Sequence, residues 1–133
     1  MCIRDRVIYD QLGCPTGALG LAKLIWKIIV EDLINKIDSN TKVPILHWSD
    51  LGVASWYDLA CAICEISNEI GLLKNDCEII PIKSENFNSI VNRPKYSLLD
   101  SRLTRSLFNL SNDHWQSEII RICNKMKNDK NFK

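Results

Sequence analysis

The stretch Val7-Ile8-Tyr9-Asp10-Gln11-Leu12-Gly13-Cys14-Pro15-Thr16 holds a strand, a turn and a helix start in immediate succession. Val7, Ile8 and Tyr9 are β-branched or aromatic and read as a short strand. Asp10 to Thr16 is a tight loop rich in turn residues. Thr16 is placed to cap a helix, because its hydroxyl can accept a free amide hydrogen there. The spacing predicts that helix over residues 17–37, with Ala18, Leu21, Ala22, Ile25, Ile29 and Leu33 along one side.

Working outward, Asp38-Ser39-Asn40-Thr41 is a turn-rich stop. Residues 43–48 are expected to form a strand, with Pro44 near its start, where a missing amide costs least. Ser49-Asp50-Leu51-Gly52 reads as a loop. Ser55 then caps a second helix over 56–70, whose core stripe is Leu59, Ile63, Ile66 and Ile70. Gly71 is its terminator, since glycine takes the left-handed conformation cheaply. Residues 78–82 are a short strand, and 83–92 are polar and irregular. Arg93-Pro94 leads into an extended 96–99. Asp100 or Ser101 caps a short helix reaching Leu107. A last helix spans 114–127, started by Asn112 or Asp113, with Trp115, Ile119, Ile122 and Met126 on one face.

This order is mixed α/β, and it reads as the end of a larger fold. Two or three short strands cannot cover the apolar surface that the helices carry. The chain has 133 residues, is 46% hydrophobic and 25% charged, and has a net charge of +1. That balance argues against a nucleic-acid partner and against an anionic membrane. No apolar run is long enough to span a bilayer, and the start has no signal-peptide core. A cytoplasmic location is expected. The six cysteines are then expected to be reduced thiols. Cys61-Ala62-Ile63-Cys64 lies inside a predicted helix, without partner ligands at metal spacing, so no metal site is expected.

Three segments, taken in order, resemble one family. Asp10-Gln11-Leu12-Gly13-Cys14-Pro15-Thr16 is similar to an Asp-Gln-x-Gly-x-Pro-Thr loop. His47-Trp48-Ser49-Asp50-Leu51-Gly52, followed by Ser55-Trp56-Tyr57-Asp58, is similar to the strand, loop and capped helix that follow it. Arg93-Pro94-Lys95-Tyr96-Ser97-Leu98-Leu99-Asp100 is similar to an Arg-Pro-x-x-Ser-x-Leu-Asp segment. The family is the dTDP-4-dehydrorhamnose reductases, of the extended short-chain dehydrogenase/reductase class. The resemblance covers residues 7–127. It sets residues 1–6 apart as a leader outside the family pattern and 128–133 as a frayed tail.

The resemblance implies a C-terminal, substrate-binding part of a Rossmann-type fold, lacking the N-terminal cofactor-binding half. The family's Gly-rich turn and its Tyr-x-x-x-Lys pair are not in this sequence: Tyr9, Tyr57 and Tyr96 are followed four residues later by Gly13, Cys61 and Asp100. The fragment is therefore expected to have no catalytic residue and to hold no cofactor. In the full-length protein the cofactor would be NADPH (or NADH), the ligand a dTDP-sugar, and the assembly a homodimer. A non-catalytic binding relative, like the regulatory subunit of methionine adenosyltransferase, is the alternative that the resemblance leaves open.

Arg93 is the sharpest site candidate. A guanidinium can hold a diphosphate with two parallel hydrogen bonds, and Pro94 restricts the backbone before it. Gln11 could hydrogen-bond the sugar or the diphosphate. Asp10 and Thr16 read as loop and cap support. His47 reads as structural, and Trp26, Trp48, Trp56 and Trp115 as core or packing residues rather than a stacking platform.

Overall fold

A computed structural model describes residues 3–31, 45–73, 77–111 and 113–129. Strand β1 (Ile3–Ile8) lies parallel to β4 (Cys77–Ile82), in register from Ile3 beside Cys77 to Ile8 beside Ile82. The residues that the sequence sets apart as a leader thus include the first four of the six residues of β1. A second, smaller sheet has the order β3-β2-β5. Strand β2 (Leu12–Gly13) pairs antiparallel with β3 (Ala54–Ser55) and parallel with β5 (Tyr96–Ser97). The four helices among the described residues are α1 (Ala18–Val30), α2 (Trp56–Glu69), α3 (Arg102–Phe108) and α4 (Trp115–Asn128). The α/β class read from the sequence is the class observed. Among the described residues no helix is long and apolar enough to cross a membrane.

Helix α2 carries the clearest local signal. The Ser55 hydroxyl accepts the Asp58 amide at 3.0 Å, and the Asp58 carboxylate accepts the Ser55 amide at 2.8 Å. This reciprocal box satisfies two donors that the helix cannot satisfy itself, and such a cap contributes about 1 kcal/mol. At the far end Gly71 has φ of +70°. The core lies between α2 and α4, where Ala54, Ala62, Trp115, Ile119 and Cys123 are buried. Leu59, Ile66, Ile70 and Leu72 pack against them.

Several expectations are corrected. Helix α1 ends at Val30 with Glu31 as its cap; residues 32–37 of the expected helix lie outside the described residues. Its N-cap is Gly17, with no side-chain cap. The Thr16 hydroxyl instead donates back to the Cys14 carbonyl at 2.9 Å, so it closes the turn and does not cap the helix. Leu24 is the buried residue of α1, whereas Leu21, Ile25 and Ile29 of the expected stripe are exposed. Residues 45–48 form no strand, and 43–44 lie outside the described residues. The segment is held by a side chain, with the Thr104 hydroxyl donating to the His47 carbonyl at 2.6 Å. Leu51 then makes the ladder contacts, receiving the Trp115 amide and donating to the Asp113 carbonyl, each at 3.0 Å.

The N-cap of α4 is His114, whose Nδ1 accepts the Gln116 amide at 3.4 Å, and not Asp113; Asn112 lies outside the described residues. Its buried face is Trp115, Ile119 and Cys123, one position round from the predicted Ile122 and Met126. Gly52 has φ of +93°, and any side chain there would run into the His114 and Trp115 rings. Packing α2 on β4 brings Cys64 against Cys77, with Cα atoms 6.5 Å apart and so within the reach of a disulfide, at a pair that the sequence leads one to expect as reduced thiols.

One buried carboxylate holds the loop to the helices. Asp50 is 5% exposed and accepts the Gly17 amide at 2.7 Å, at the start of α1. A helix N-terminus favours a negative charge. Glu118 is buried beside it and pairs with Arg121. A side chain at Gly17 would collide with the Glu118 carboxylate. Burial raises the Asp50 carboxyl above its ordinary value, and the charges of Glu118 and Asp113 add to that. The Gly17 amide and Arg121 work the other way.

Two outcomes are expected. A carboxyl raised in the folded state favours folding at low pH, and that contribution is lost as pH rises through its folded value. Asp50→Asn keeps an acceptor for Gly17 and removes the buried charge. It should melt above wild type at pH 7, with the gap closing as pH falls toward the ordinary value of 3.8. Asp50→Ala should instead cost about 1–3 kcal/mol, because the Gly17 amide loses its acceptor. Thermal melts across pH 3.5–8 check both. Separately, α1 leaves Ile25, Trp26, Ile29 and Val30 uncovered, with Trp26 68% exposed. The chain should therefore self-associate, and Ile25→Glu with Ile29→Glu should raise the association midpoint by about tenfold or more in sedimentation velocity.

Candidate functional site

The site is assembled around β2. Its Leu12 amide donates to the Lys95 carbonyl at 2.8 Å, and the Ser97 hydroxyl donates to the Leu12 carbonyl at 3.2 Å. The Gln11 loop and the Arg93-Pro94 segment, distant in sequence, are thereby laid side by side. On the other flank β3 leads directly into the capped start of α2. These pieces enclose a cavity of about 360 Å³, lined by residues 11–15, by Ala54, Ser55, Trp56 and Leu59, and by Arg93, Pro94 and Ser97.

A wider cavity of about 780 Å³ adjoins it and shares Gln11, Trp56 and Arg93. It opens at the C-terminal ends of β1 and β4, and Arg6, Lys95, Asp10, Ser84 and Phe87 are among its lining residues. Ligands of open α/β sheets bind beyond the carboxyl ends of the strands. Arg6, Arg93 and Lys95 line this opening together with the carboxylates Asp10 and Glu85. Among the described residues no hydrogen bond or ion pair engages Arg93, so its five donors are available to a ligand.

Asp10 is already engaged. It accepts the Ser84 amide at 2.8 Å and the Ser84 hydroxyl at 2.9 Å, while the Tyr9 amide reaches the Ile82 carbonyl at 3.1 Å. Burial pushes the Asp10 carboxyl up, but the Ser84 hydrogen bonds and the Lys95 charge outweigh it and leave the group below its ordinary value. Asp10 is thus a carboxylate that ties the end of β1 to the segment after β4. Thr16 is exposed and outside both cavities. The structure therefore brings together Arg93 and Gln11, gives Asp10 a supporting contact, and leaves Thr16 apart.

Trp56 and Lys95 are among the site residues that the sequence did not single out. Trp56 is 52% exposed and lines both cavities, which corrects its reading as a packing residue. The spacing from Trp56 to Leu59, Ile63 and Ile66 continues the apolar stripe of α2, so periodicity cannot separate it from the core. Lys95 adds a second cation one residue beyond Pro94. Of the other tryptophans, Trp115 is buried as expected and Trp26 is exposed. Trp48 lines a separate cavity of about 110 Å³ with Asp50, Lys23, Glu118 and Arg121. His47 is exposed and contributes only its carbonyl. Among the described residues no three His, Cys, Asp or Glu side chains come together as a metal site would need.

Residues 4–128 match the family profile described as the RmlD substrate binding domain. The spore coat polysaccharide biosynthesis protein SpsK of Bacillus subtilis (strain 168) is 30% identical over 114 residues, which is 86% of this chain and 34% of that protein. A dTDP-4-dehydrorhamnose reductase of Escherichia coli (strain K12) is 30% identical over 122 residues, 90% of this chain and 39% of that enzyme. The chain thus spans little more than a third of the length of these curated relatives. A crystal structure of a dTDP-4-dehydrorhamnose reductase from Clostridium acetobutylicum superposes with a TM-score of 0.76 at 25% identity, covering 95% of this chain and 40% of that one. The reductase of Bacillus anthracis, solved in complex with NADP, shares the fold with a TM-score of 0.67 at 24% identity, over 92% of this chain and 38% of its own. With a profile match from residue 4 to residue 128 over an α/β fold shared with solved reductases, the chain belongs to the RmlD substrate-binding domain family.

Proposed function

We propose that this chain is the part of an NADPH-dependent reductase that holds dTDP-4-dehydro-L-rhamnose while it is reduced to dTDP-L-rhamnose. The observation that carries the reading is the meeting of Arg93 and Gln11 in one cleft at the carboxyl ends of β1 and β4. A dTDP-sugar presents a diphosphate, and a protein of net charge +1 has little diffuse field with which to hold it. A directed cation is needed, and Arg93 supplies two parallel donors in a rigid plane. Lys95 adds charge nearby. The Gln11 amide can donate and accept, which suits it to a sugar hydroxyl or to a phosphate oxygen.

The work of this chain in the reaction is orientation. Gripping the diphosphate fixes the sugar at one end, and binding energy from that remote group holds the carbonyl in place for the chemical step. NADPH, or NADH, would supply the hydride when bound by the part of the whole protein that this chain does not contain. Asp10 and Ser84 keep the strand ends from spreading under that grip.

Arg93→Ala should weaken dTDP binding by about tenfold to a hundredfold, the loss of a charge-assisted contact of about 1.5–3 kcal/mol. Arg93→Lys should recover only part of it. Calorimetric titration of dTDP checks this, and wild-type affinity in Arg93→Ala would remove Arg93 from the site. The chain of 133 residues alone should not oxidise NADPH in the presence of the dTDP-keto-sugar. A fall in absorbance at 340 nm above the enzyme-free rate would refute that.

A further inference from the structure

The sequence carries a Cys61-Ala62-Ile63-Cys64 pair that neither cavity of the cleft uses. Both cysteines stand on α2, three residues apart. At that spacing Cβ atoms on a helix are about 5–6 Å from each other, whereas a disulfide needs about 3.5–4.5 Å. The pair cannot close while the helix is wound. Cys61 turns to its own helix, where its side chain engages Tyr57 one turn earlier.

Cys64 meets a different element. Its sulfur lies 3.7 Å from the carbonyl oxygen of Cys77, the first residue of β4, and the Asn68 side-chain amide donates to it at 3.8 Å. The Cα atoms of Cys64 and Cys77 are 6.5 Å apart, inside the range of about 4.4–6.8 Å that a disulfide spans. Both residues are only partly buried, so a small reagent in water can reach them. The other described thiols differ. Cys123 is buried in the core beside Ser67, and Cys14 lines the narrower cavity. The chain after α2 turns back on the helix, because the Leu72 and Leu73 amides both donate to the Ser67 carbonyl, at 2.8 and 3.2 Å.

We infer that Cys64 and Cys77 are a reversible redox pair, which staples α2 to β4 when a small disulfide, oxidised glutathione, is in excess and releases them when thiol is in excess. One protein thiolate attacks a glutathione sulfur and expels the first glutathione thiolate. The second protein thiolate attacks the resulting mixed disulfide and expels the other. One sulfur–sulfur bond breaks for each that forms, the protein loses two hydrogens, and two glutathione thiols gain them. The bond joins residues 13 apart in sequence, so it removes freedom chiefly from the unfolded chain. It stands at the opposite end of β4 from the cleft, and its effect is on the stability of the α2–β4 packing, not on contacts to a ligand.

Equilibration of the chain in glutathione buffers of graded ratio, followed by acid quenching, denaturation, alkylation and peptide mass mapping, tests this. Two of the six thiols should be protected at the oxidising end, with one cross-linked peptide joining Cys64 to Cys77, and dithiothreitol should return both. Cys61→Ser should leave the link in place, while Cys64→Ser and Cys77→Ser should each abolish it. The oxidised wild type should melt about 5 °C or more above the reduced form. A double variant, Cys64→Ser with Cys77→Ser, should show no such response to glutathione. Mapping and melts of the wild type need no variant, and they decide the matter if a serine variant does not fold. A link between Cys61 and Cys64, a link between two chains, glutathione adducts with no protein cross-link, or equal melting of the oxidised and reduced forms overturns the role of the pair.

Discussion

The site depends on a strand of two residues. Leu12 and Gly13 pair on one side with Ser55 and Ala54 and on the other with Tyr96 and Ser97. No other element among the described residues pairs with both. Three segments distant in sequence are held at strand spacing by this contact, and each leads to one part of the cleft: Gln11, Trp56 and Arg93. A strand so short contributes few hydrogen bonds, so its position must be held from elsewhere. The Asp10–Ser84 contact secures the chain before it, and the Gly17–Asp50 contact secures the chain after it.

These two carboxylates solve the same problem in opposite electrostatic settings. Asp10 accepts a hydroxyl and an amide beside Lys95, and its charge is stabilised. Asp50 accepts one amide in a buried place near Glu118 and Asp113, and its charge is opposed there. The second arrangement costs stability at neutral pH, yet it positions the start of α1. The Glu118–Arg121 pair limits that cost by placing a cation beside the two buried acids. Replacing buried charge with neutral groups commonly stabilises a fold. Asp50 is a group for which placement of the loop and stability of the fold pull apart.

How much was legible follows from how local each signal is. The cap of α2 was readable because Ser55 and Asp58 stand three residues apart and bond to each other. Gly71 and the strand expected at 78–82, observed at Cys77–Ile82, are readable for similar reasons. The start of α1 is not legible in the same way, because Gly17 is satisfied by Asp50, a residue far along the chain, and Thr16 is engaged locally with Cys14. The segment 45–48 looked like a strand by composition, but it finds a hydroxyl on α3 in place of a neighbouring ladder. Which stripe of α1 is buried depends on what lies against it, and that is not encoded in periodicity. At the site, Arg93 and Gln11 stood out through motif resemblance. Trp56 did not, since a helical stripe looks the same whether its last residue meets a core or a cleft.

The exposed face of α1 and the open cleft share one physical cause. Both present groups shaped for contact that this length of chain does not itself provide, and the solved relatives extend well beyond the part it covers. For Arg93 this has a direct electrostatic consequence. In an open cleft a guanidinium and a diphosphate attract each other through water, and salt screens them over a distance of about 10 Å at 0.1 M. Covering the cleft with protein lowers the local dielectric and strengthens the same contact without moving either partner. On the proposed reading of the cleft, the diphosphate should therefore gain weight at Arg93 as more protein closes over it.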